Sequence, residues 1–156
     1  MKYLKRIFEK SDNSAKSLDE VLDFCEGSLA YLLDDGFEVK FSKLEVERDE
    51  YLNITLYGPI DTTYTKSRAL ASYLYITGEG DRRLFSWNEI KDYYIPFIML
   101  LRNRHYIPYD KIAFVVEVDS KIHQRVFMVD EIVEDDNKVI QTDIFSISLK
   151  VKLNKS

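Results

Sequence analysis

Apolar residues recur with helical spacing in a long stretch of the chain that begins near Ser17. Ser17 and Glu20 form a Ser-x-x-Glu sequence, which is typical of the capping box at a helix N-terminus. The apolar residues that follow at helical intervals are Leu18, Val21, Leu22, Cys25, Leu29, Leu32 and Leu33. Gly36 comes where a left-handed C-terminal cap is expected. This pattern predicts one helix over residues 17–35.

A second helical pattern begins at Ser86, where Ser86 and Glu89 repeat the capping sequence, and it continues to about Arg104. Its apolar positions are Trp87, Ile90, Tyr94, Phe97, Ile98 and Leu101. Pro96 lies inside this pattern. Because proline lacks an amide hydrogen and crowds the preceding turn, we expect a kink or a break near Ile95.

The remaining patterned segments alternate between apolar and polar residues, as strands do. Residues 37–42 and 51–57 predict an antiparallel hairpin with its turn at residues 48–50. Three further strands are expected near residues 111–118, 124–133 and 138–153, with turns at residues 119–121 and 135–137. Residues 61–76 are ambiguous because positions 69–76 fit either a helix or a strand, and we expect a strand there.

These elements predict an α+β fold in which two main helices pack on one face of a mostly antiparallel sheet. A helix followed by a hairpin occurs twice, over residues 17–57 and 86–133, so the chain permits pseudo-repeated α-β-β units. Residues 1–14 are expected to form an amphipathic N-terminal arm and linker, and residues 15–156 a single α+β domain. The second sheet face would then be available for a partner or for self-association.

Composition places the chain among ordinary globular proteins. Its 156 residues are 46% hydrophobic and 31% charged, which suffices for one hydrophobic core. Cys25 is the only cysteine, so an intrachain disulfide is excluded and a reducing, cytoplasmic location is expected. No apolar run approaches the ~18 residues that span a bilayer, and the N-terminus lacks the apolar core of a secretory signal. We expect neither membrane insertion nor secretion.

The charge balance disfavours nucleic acid as a partner and makes a protein the expected one. The formal net charge is −5, so binding to a phosphate backbone would require a segregated basic patch. The best candidate patch is Arg102, Arg104 and His105. A nucleic-acid-binding module that uses this patch and neighbouring tyrosines remains an alternative, with base stacking as its source of affinity.

The sequence contains no convergent catalytic set, so we expect no cofactor and lean against an enzyme. His105 and His123 lack the spacing of metal ligands, and Cys25 lies on an apolar helical stripe where thiols are inert. Residues 78–80 lack the lysine and third glycine of a phosphate-binding loop. The acidic residues near the last turn lack the regular spacing of a calcium loop; they are Asp130, Glu131, Glu134, Asp135 and Asp136.

A metal-dependent phosphodiesterase or nuclease is the enzymatic alternative. Asp61 followed by Glu89 and Lys91 mimics the order of carboxylates and lysine in nucleases of the restriction-endonuclease class. In those enzymes the Glu-x-Lys lies on a strand. Glu89 is better explained as a helix-capping residue, so we predict that these three side chains do not form a metal site.

The N-terminal residues carry the one resemblance to known proteins. Leu4, Ile7 and Phe8 share a helical face among basic residues, and Glu9 completes an Ile-x-Glu tripeptide. This segment resembles the leaders of small tailed-phage proteins that are packed inside the immature head. The resemblance implies targeting to the head scaffold and cleavage after Glu9, although Lys10 differs from the small residue usual after the cut.

The resemblance also implies a function class. It implies a non-catalytic accessory or virion-associated protein that acts by macromolecular binding, located in the host cytoplasm or in the virion. The alternative for the same residues is an ordinary amphipathic helix that packs on its own domain.

Overall fold

The computed structural model describes residues 17–104, 111–134 and 143–153, except for the side chain of Arg104. Ten elements follow one another along this part of the chain. In order they are α1 (Leu18–Ser28), α2 (Ala30–Asp34), β1 (Glu38–Val46), β2 (Asp49–Tyr57), α3 (Arg68–Thr77), α4 (Trp87–Arg104), β3 (Lys111–Val118), β4 (Lys121–Met128), α5 (Val129–Glu134) and β5 (Ile144–Lys152).

The five strands form one antiparallel sheet in the order β1-β2-β5-β3-β4. The last strand in sequence, β5, therefore lies in the centre, between the inner strands of two hairpins. Each hairpin follows a helix, since α1 and α2 precede β1-β2 and α4 precedes β3-β4. This arrangement confirms the predicted α+β class and the two α-β-β units.

One face of the sheet, here called the inner face, holds the main hydrophobic core. Alternate residues of the three middle strands point into it, among them Ile54, Phe114 and Ile147, and all are buried. Helices α1, α2, α4 and α5 cover them with further buried side chains; the largest on α4 are Trp87, Tyr94 and Phe97. The two main helices thus pack on the same sheet face, as predicted.

The predicted helix over residues 17–35 begins as expected but is interrupted. The Ser17 hydroxyl accepts a hydrogen bond from the Glu20 amide at 3.4 Å, and Gly36 adopts a φ of +94° after the last turn. Leu29 leaves the helical conformation with φ −105° and ψ 15°, which separates α1 from α2. Gly27 and the serine after it are poorer helix formers than the residues around them, which weakens the helix just before the interruption.

We expected a kink or a break near Ile95, and the structure contradicts the break. Helix α4 runs unbroken through Pro96 to Arg104. Proline removes one backbone hydrogen bond, but the side chains on either side of it remain anchored: Tyr94, Phe97 and Ile98 are all buried in the core. Their burial outweighs the local loss.

The strand expected within residues 61–76 is also wrong, because residues Arg68–Thr77 form helix α3. The Ser67 hydroxyl caps it by accepting from the Leu70 amide at 3.1 Å, and Gly78 ends it with a φ of +73°. Leu70 and Leu74 are one helical turn apart and are both buried. The capping serine and the terminal glycine were sequence signals for this helix.

The strand predictions hold best for the hairpins. Strand β3 has the predicted bounds, and the β3-β4 turn places Asp119 and Ser120 at positive φ. Strand β1 extends further than expected, so that the first turn is at residues 47–48 and includes Glu47 at φ +60°. The prediction of a strand up to residue 133 is wrong because α5 begins at Val129. The turn at residues 135–137 lies outside the described residues.

Helix α3 packs on the opposite face of the sheet, here called the outer face. Its Leu70 and Leu74 form a second buried cluster with Leu84 and Phe145, and Tyr57 and Val115 pack against it. Within residues 17–104, 111–134 and 143–153, this cover extends over about half of the outer face. We expected the whole of this face to be available to a partner. This expectation is wrong for the half that α3 covers.

No helix in the described part of the chain is long and apolar enough to cross a membrane.

Candidate functional site

The open half of the outer face is a shallow groove because its floor is made of small side chains. Ala113 on β3 lies opposite Ser148 on β5, and Thr55 on β2 lies opposite the same serine. On the other side of Ala113, Val126 of β4 rises from the edge of the sheet. Small residues in the middle and larger ones at the sides produce a concave surface.

The groove has a volume of about 530 Å³, within the range of ligand-binding clefts. We call it the outer groove. All five strands contribute to its lining, which consists of Leu44, Asn53, Lys111, Ala113, Gln124, Val126, Ser148, Leu149 and Lys150.

Polar and charged groups converge on the outer groove. Asn53 donates a side-chain hydrogen bond to the Thr55 hydroxyl at 3.2 Å, and Gln124 contributes a second amide from β4. Extending the register of Ala113 and Ser148 by two residues places Lys111 opposite Lys150. These two lysines are the only charged residues among the nine that line the groove.

Apolar side chains flank the groove at both edges of the sheet. Leu44 on β1 is 37% exposed and Val126 on β4 is 55% exposed. Val46 and Met128, on the same two edge strands, are exposed as well. Exposed apolar side chains that lie together on a surface are a feature of interaction sites.

The other half of the outer face is closed by α3, and an ion network ties α3 to the first hairpin. The Arg82 side chain is buried and donates to the Gly58 carbonyl at 3.0 Å. Its guanidinium also pairs with Glu79 at 3.1 Å and with Glu38 at 3.2 Å. Lys40 reaches the same Glu79 carboxylate at 2.9 Å. Because the Arg82 guanidinium has carboxylate partners, it can be buried without being an isolated charge.

A second anchor holds the start of α3 on strand β3. The Ser67 hydroxyl, which caps the helix, donates a hydrogen bond to the Glu117 carboxylate. Nearby, burial raises the pKa of Tyr64, and the charges of Asp143 and Glu117 raise it further. The Tyr64 phenol is therefore held in its neutral form. These contacts position α3; they do not form a reaction centre.

Asp61 and Glu89, the two carboxylates of the nuclease alternative, have structural roles. Thr63 donates to the Asp61 carboxylate through its hydroxyl at 2.7 Å and its amide at 3.0 Å, and these bonds lower the pKa of Asp61. Glu89 accepts from the Ser86 amide at 2.8 Å, as a capping residue does, and pairs with Arg83 at 2.9 Å. Partial burial raises the pKa of Glu89, but the hydrogen bonds from Arg83 and Ser86 outweigh it and hold the pKa below its usual range.

The structure brings no metal-binding group together in the part of the chain that it describes: no three His, Cys, Asp or Glu side chains are suitably grouped there. His123 is exposed on β4. Gly78 ends helix α3 and does not open a phosphate-binding loop.

The Cys25 thiol is buried in the core. Burial raises the pKa of this thiol, and the charge of Glu26 raises it further. The thiol therefore remains protonated and weakly nucleophilic, as its place on an apolar stripe indicated.

The sequence-predicted basic patch is only partly within the described residues. The Arg102 guanidinium pairs with the Asp130 carboxylate and so joins α4 to α5. The side chain of Arg104 and all of His105 lie outside the description. The leader residues Leu4, Ile7, Phe8 and Glu9 lie outside it as well.

Sequence reasoning missed the outer groove. Its signal is the period-two placement of small or polar residues on strands whose other face is apolar, as at Ala113, Ser148 and Asn53. That signal reveals which positions share a face, but not that β5 lies between β2 and β3. Arg82 was also missed, because its burial depends on Gly58 and Glu38, which are distant from it in the sequence.

No protein-family model, curated protein or solved structure matches this chain.

Proposed function

We propose that this chain is a non-catalytic accessory protein of the tailed-phage type that acts by binding another protein. The observation that carries the binding role is the outer groove. Half of the outer face is closed by a helix with its own buried cluster, whereas the other half is concave, polar at its floor and flanked by accessible apolar side chains. A surface of this composition fits a macromolecular partner.

A non-catalytic role is supported by how the reactive side chains are used. Glu89 is occupied by a helix N-terminus and by Arg83, and Arg102 is paired with Asp130. The Cys25 thiol is buried and protonated. Both the phosphodiesterase alternative and the nucleic-acid alternative therefore rely on residues with structural partners.

The phage-type assignment rests on the resemblance of residues 1–9 to head-targeting leaders. A leader that delivers the protein to a head scaffold and a separate groove that binds a partner would be compatible in one chain. The proposal includes a location in the host cytoplasm during assembly or in the virion afterwards.

The binding role can be tested by selecting displayed random peptides on the immobilised full chain. Two variants serve as counter-selection: Ala113→Arg fills the floor of the groove, and Val126→Arg alters an exposed side chain at its edge. We expect peptides that bind the native chain and lose binding to both variants, while circular dichroism and thermal unfolding confirm that the variants fold.

Two results would overturn the proposal. One is a selection in which every enriched peptide binds the variants as well as the native chain. The other is magnesium-dependent cleavage of nucleic acid by the native chain that Glu89→Gln abolishes, which would establish the phosphodiesterase alternative instead.

A further inference from the structure

We infer that the open edge of strand β4 binds an extended segment of another protein, which joins the sheet as an additional antiparallel strand and carries carboxylates at alternate positions. This docking surface, here called the β4 edge, consists of residues Lys121–Met128. It goes beyond the proposed function, because it offers backbone hydrogen bonds at the end of the sheet, whereas the outer groove offers a concave floor.

The turn before β4 determines which of its backbone groups face the open edge. Among the described residues, β3 is the one strand that pairs with β4. The turn between them has two residues, Asp119 and Ser120, both at positive φ, as in a type I′ turn. A hydrogen bond joins the residues that flank such a turn, here Val118 and Lys121. Because bonded pairs alternate along an antiparallel ladder, every second residue of β4 from Lys121 onward bonds β3.

A hydrogen bond on the other side of β3 supports this alternation. The Glu117 amide donates to the Asp143 carbonyl, just before β5, at 2.9 Å. The residues of β3 on either side of Glu117 therefore direct their backbone groups towards β4. It follows that Ile122, Gln124 and Val126 present their amides and carbonyls at the β4 edge. Each can donate one hydrogen bond to an added strand and accept one from it.

The β4 edge is accessible along its length. Six of its eight residues are exposed, and α5 begins only after Met128. The other edge strand, β1, is less suitable, because its Glu38 and Lys40 belong to the ion network around Arg82. An exposed edge strand is a template on which another strand can pair.

Basic side chains lie along one side of the β4 edge. Lys121 and Arg125, with His123 between them, alternate along the strand, so they leave it on the inner-face side, and all three are exposed. The β3 residues opposite them are apolar, and β4 itself contains no Asp or Glu. No ion pair within residues 17–104, 111–134 and 143–153 involves Lys121 or Arg125. Carboxylates directly opposite these side chains on an added strand would complement their charge.

The outer-face side of the β4 edge is uncharged. Gln124, Val126 and Met128 leave the strand there, and the last two are exposed apolar side chains. Because successive side chains of an extended segment point to opposite faces, a segment that alternates carboxylates with apolar residues matches both sides of β4 at once. About six residues of such a segment would cover β4 from residue 121 to residue 126.

Charge and backbone chemistry disfavour the other occupants of the β4 edge. A second β4, related by a two-fold axis through His123, would place Lys121 of each copy opposite Arg125 of the other. A nucleic acid could contact the basic side, but it lacks the backbone groups that would continue the sheet, and the net charge of −5 repels its phosphates. An acidic extended segment satisfies the backbone groups and the charges together.

Synthetic octapeptide pools test the inference on the full chain. One pool alternates glutamate with valine, isoleucine or threonine, and two matched pools carry glutamine or lysine at the glutamate positions. Fluorescence anisotropy measures Kd, and amide hydrogen exchange in ¹H–¹⁵N spectra shows which backbone amides become protected. We expect the glutamate pool to bind about tenfold more tightly than the lysine pool and to protect the amides of Ile122, Gln124 and Val126.

N-methylated versions of the glutamate pool test the pairing itself. In an antiparallel pair, the peptide residues opposite Ile122, Gln124 and Val126 exchange hydrogen bonds with them, and these are the apolar residues of the segment. Methylation of the amides at the apolar positions should therefore abolish binding, whereas methylation at the glutamate positions should preserve it. Equal binding of the two methylated pools would contradict antiparallel strand addition.

Charge-reversal variants supply the matched comparison. The edge variant combines Lys121→Glu with Arg125→Glu. The control variant combines Lys43→Glu with Arg48→Glu, which makes the same change in net charge at exposed positions of the β1-β2 hairpin. Circular dichroism and thermal unfolding check that both variants fold. The edge variant should reverse the order of the glutamate and lysine pools, and the control variant should keep it. Equal binding of the three pools, or an order that the edge variant leaves unchanged, would overturn the inference.

Ala113→Arg separates this inference from the proposed function, because it fills the floor of the outer groove and leaves the backbone of β4 in place. Binding of the glutamate pool should survive this substitution. If selected peptides lose binding to Ala113→Arg while no pool protects the amides of β4, the groove stands and the β4 edge is wrong. If light scattering detects a dimer of the native chain in which the same amides are protected, the occupant is a second copy and the inference fails. It fails also if single-stranded DNA binds at the β4 edge and no peptide does.

Discussion

The two halves of the outer sheet face use the same three middle strands yet have different environments. In the half under α3, the strands present Tyr57, Val115 and Phe145, and Phe145 is buried. A few residues along the same strands, the open half presents Asn53, Ala113 and Ser148, all half-exposed. In one half, the middle strands carry large apolar side chains that pack against a helix. In the other half, the same strands carry small or polar side chains.

The comparison teaches that covering one sheet face requires both apolar residues and an anchored cover. Helix α3 is held by packing of its buried leucines and by hydrogen bonds from its capping serine and from Arg82 in the loop that follows it. In the open half, the middle strands present the small or polar side chains of Asn53, Ala113 and Ser148 at the corresponding places. Among the described residues, no helix covers it.

The inner face is the covered surface with which the outer face can be compared. Substitutions in it are expected to have the largest effect on the free energy of unfolding. We expect Leu32→Ala and Phe97→Ala each to lower the free energy of unfolding by about 2–5 kcal/mol, since each empties a buried site. Val126→Ala, at the exposed edge of the outer groove, should change it by less than about 0.5 kcal/mol. Denaturant titration measures all three. A small loss at Leu32 or Phe97 would mean that the buried helical face is misassigned.

The covered half of the outer face can be tested with two adjacent residues of α3. Leu74 is buried on the sheet, whereas Tyr75 is 89% exposed. We expect Leu74→Ala to lower the free energy of unfolding by about 2–3 kcal/mol and Tyr75→Ala to change it by less than about 0.5 kcal/mol. Urea unfolding curves compare them. Equal effects at the two positions would contradict the placement of α3 on the sheet.

The loop that carries Arg82 can be tested at Gly58. A Cβ at this position would collide with the Arg83 carbonyl oxygen, so Gly58→Ala should lower the free energy of unfolding by about 1–3 kcal/mol. Gly27 lies in helix α1 with no atom close to its Cβ position, and Gly27→Ala should raise stability by about 0.5–1 kcal/mol. Thermal unfolding experiments distinguish the loss of stability expected for Gly58→Ala from the gain expected for Gly27→Ala. A neutral Gly58→Ala would show that the loop can move away from residue 58.

The smallest effect on stability is expected from removing residues 1–14. A chain beginning at Ala15 should keep its thermal midpoint if the segment is a separable leader. If instead Leu4, Ile7 and Phe8 packed against the domain, their loss would cost several kcal/mol at about 1.5–3 kcal/mol each. A large drop in the midpoint would argue against the leader and against the phage assignment.

Local sequence signals predicted the elements that can be identified without knowing what they pack against in the tertiary structure. The Ser17 and Ser86 capping sequences located both main helices, and alternation located both hairpins. The prediction for residues 68–77 was wrong because their apolar content fits either period; the local signals that favour a helix there are Ser67 and Gly78, which cap its two ends. The strand prediction also failed at Val129, where a strand pattern continues into a helix.

By itself, the sequence determined the α+β class, the two capped helices, the hairpins and the absence of a cysteine pair, because each depends on the spacing or count of residues along the chain. Only the tertiary structure decided that β5 lies between β2 and β3 and that α3 covers half of the outer face. Pairing between distant strands depends on which surfaces can be buried together, and that is not a property of any local pattern. The outer groove follows from that pairing, since Asn53, Ala113 and Ser148 become neighbours only when their strands align.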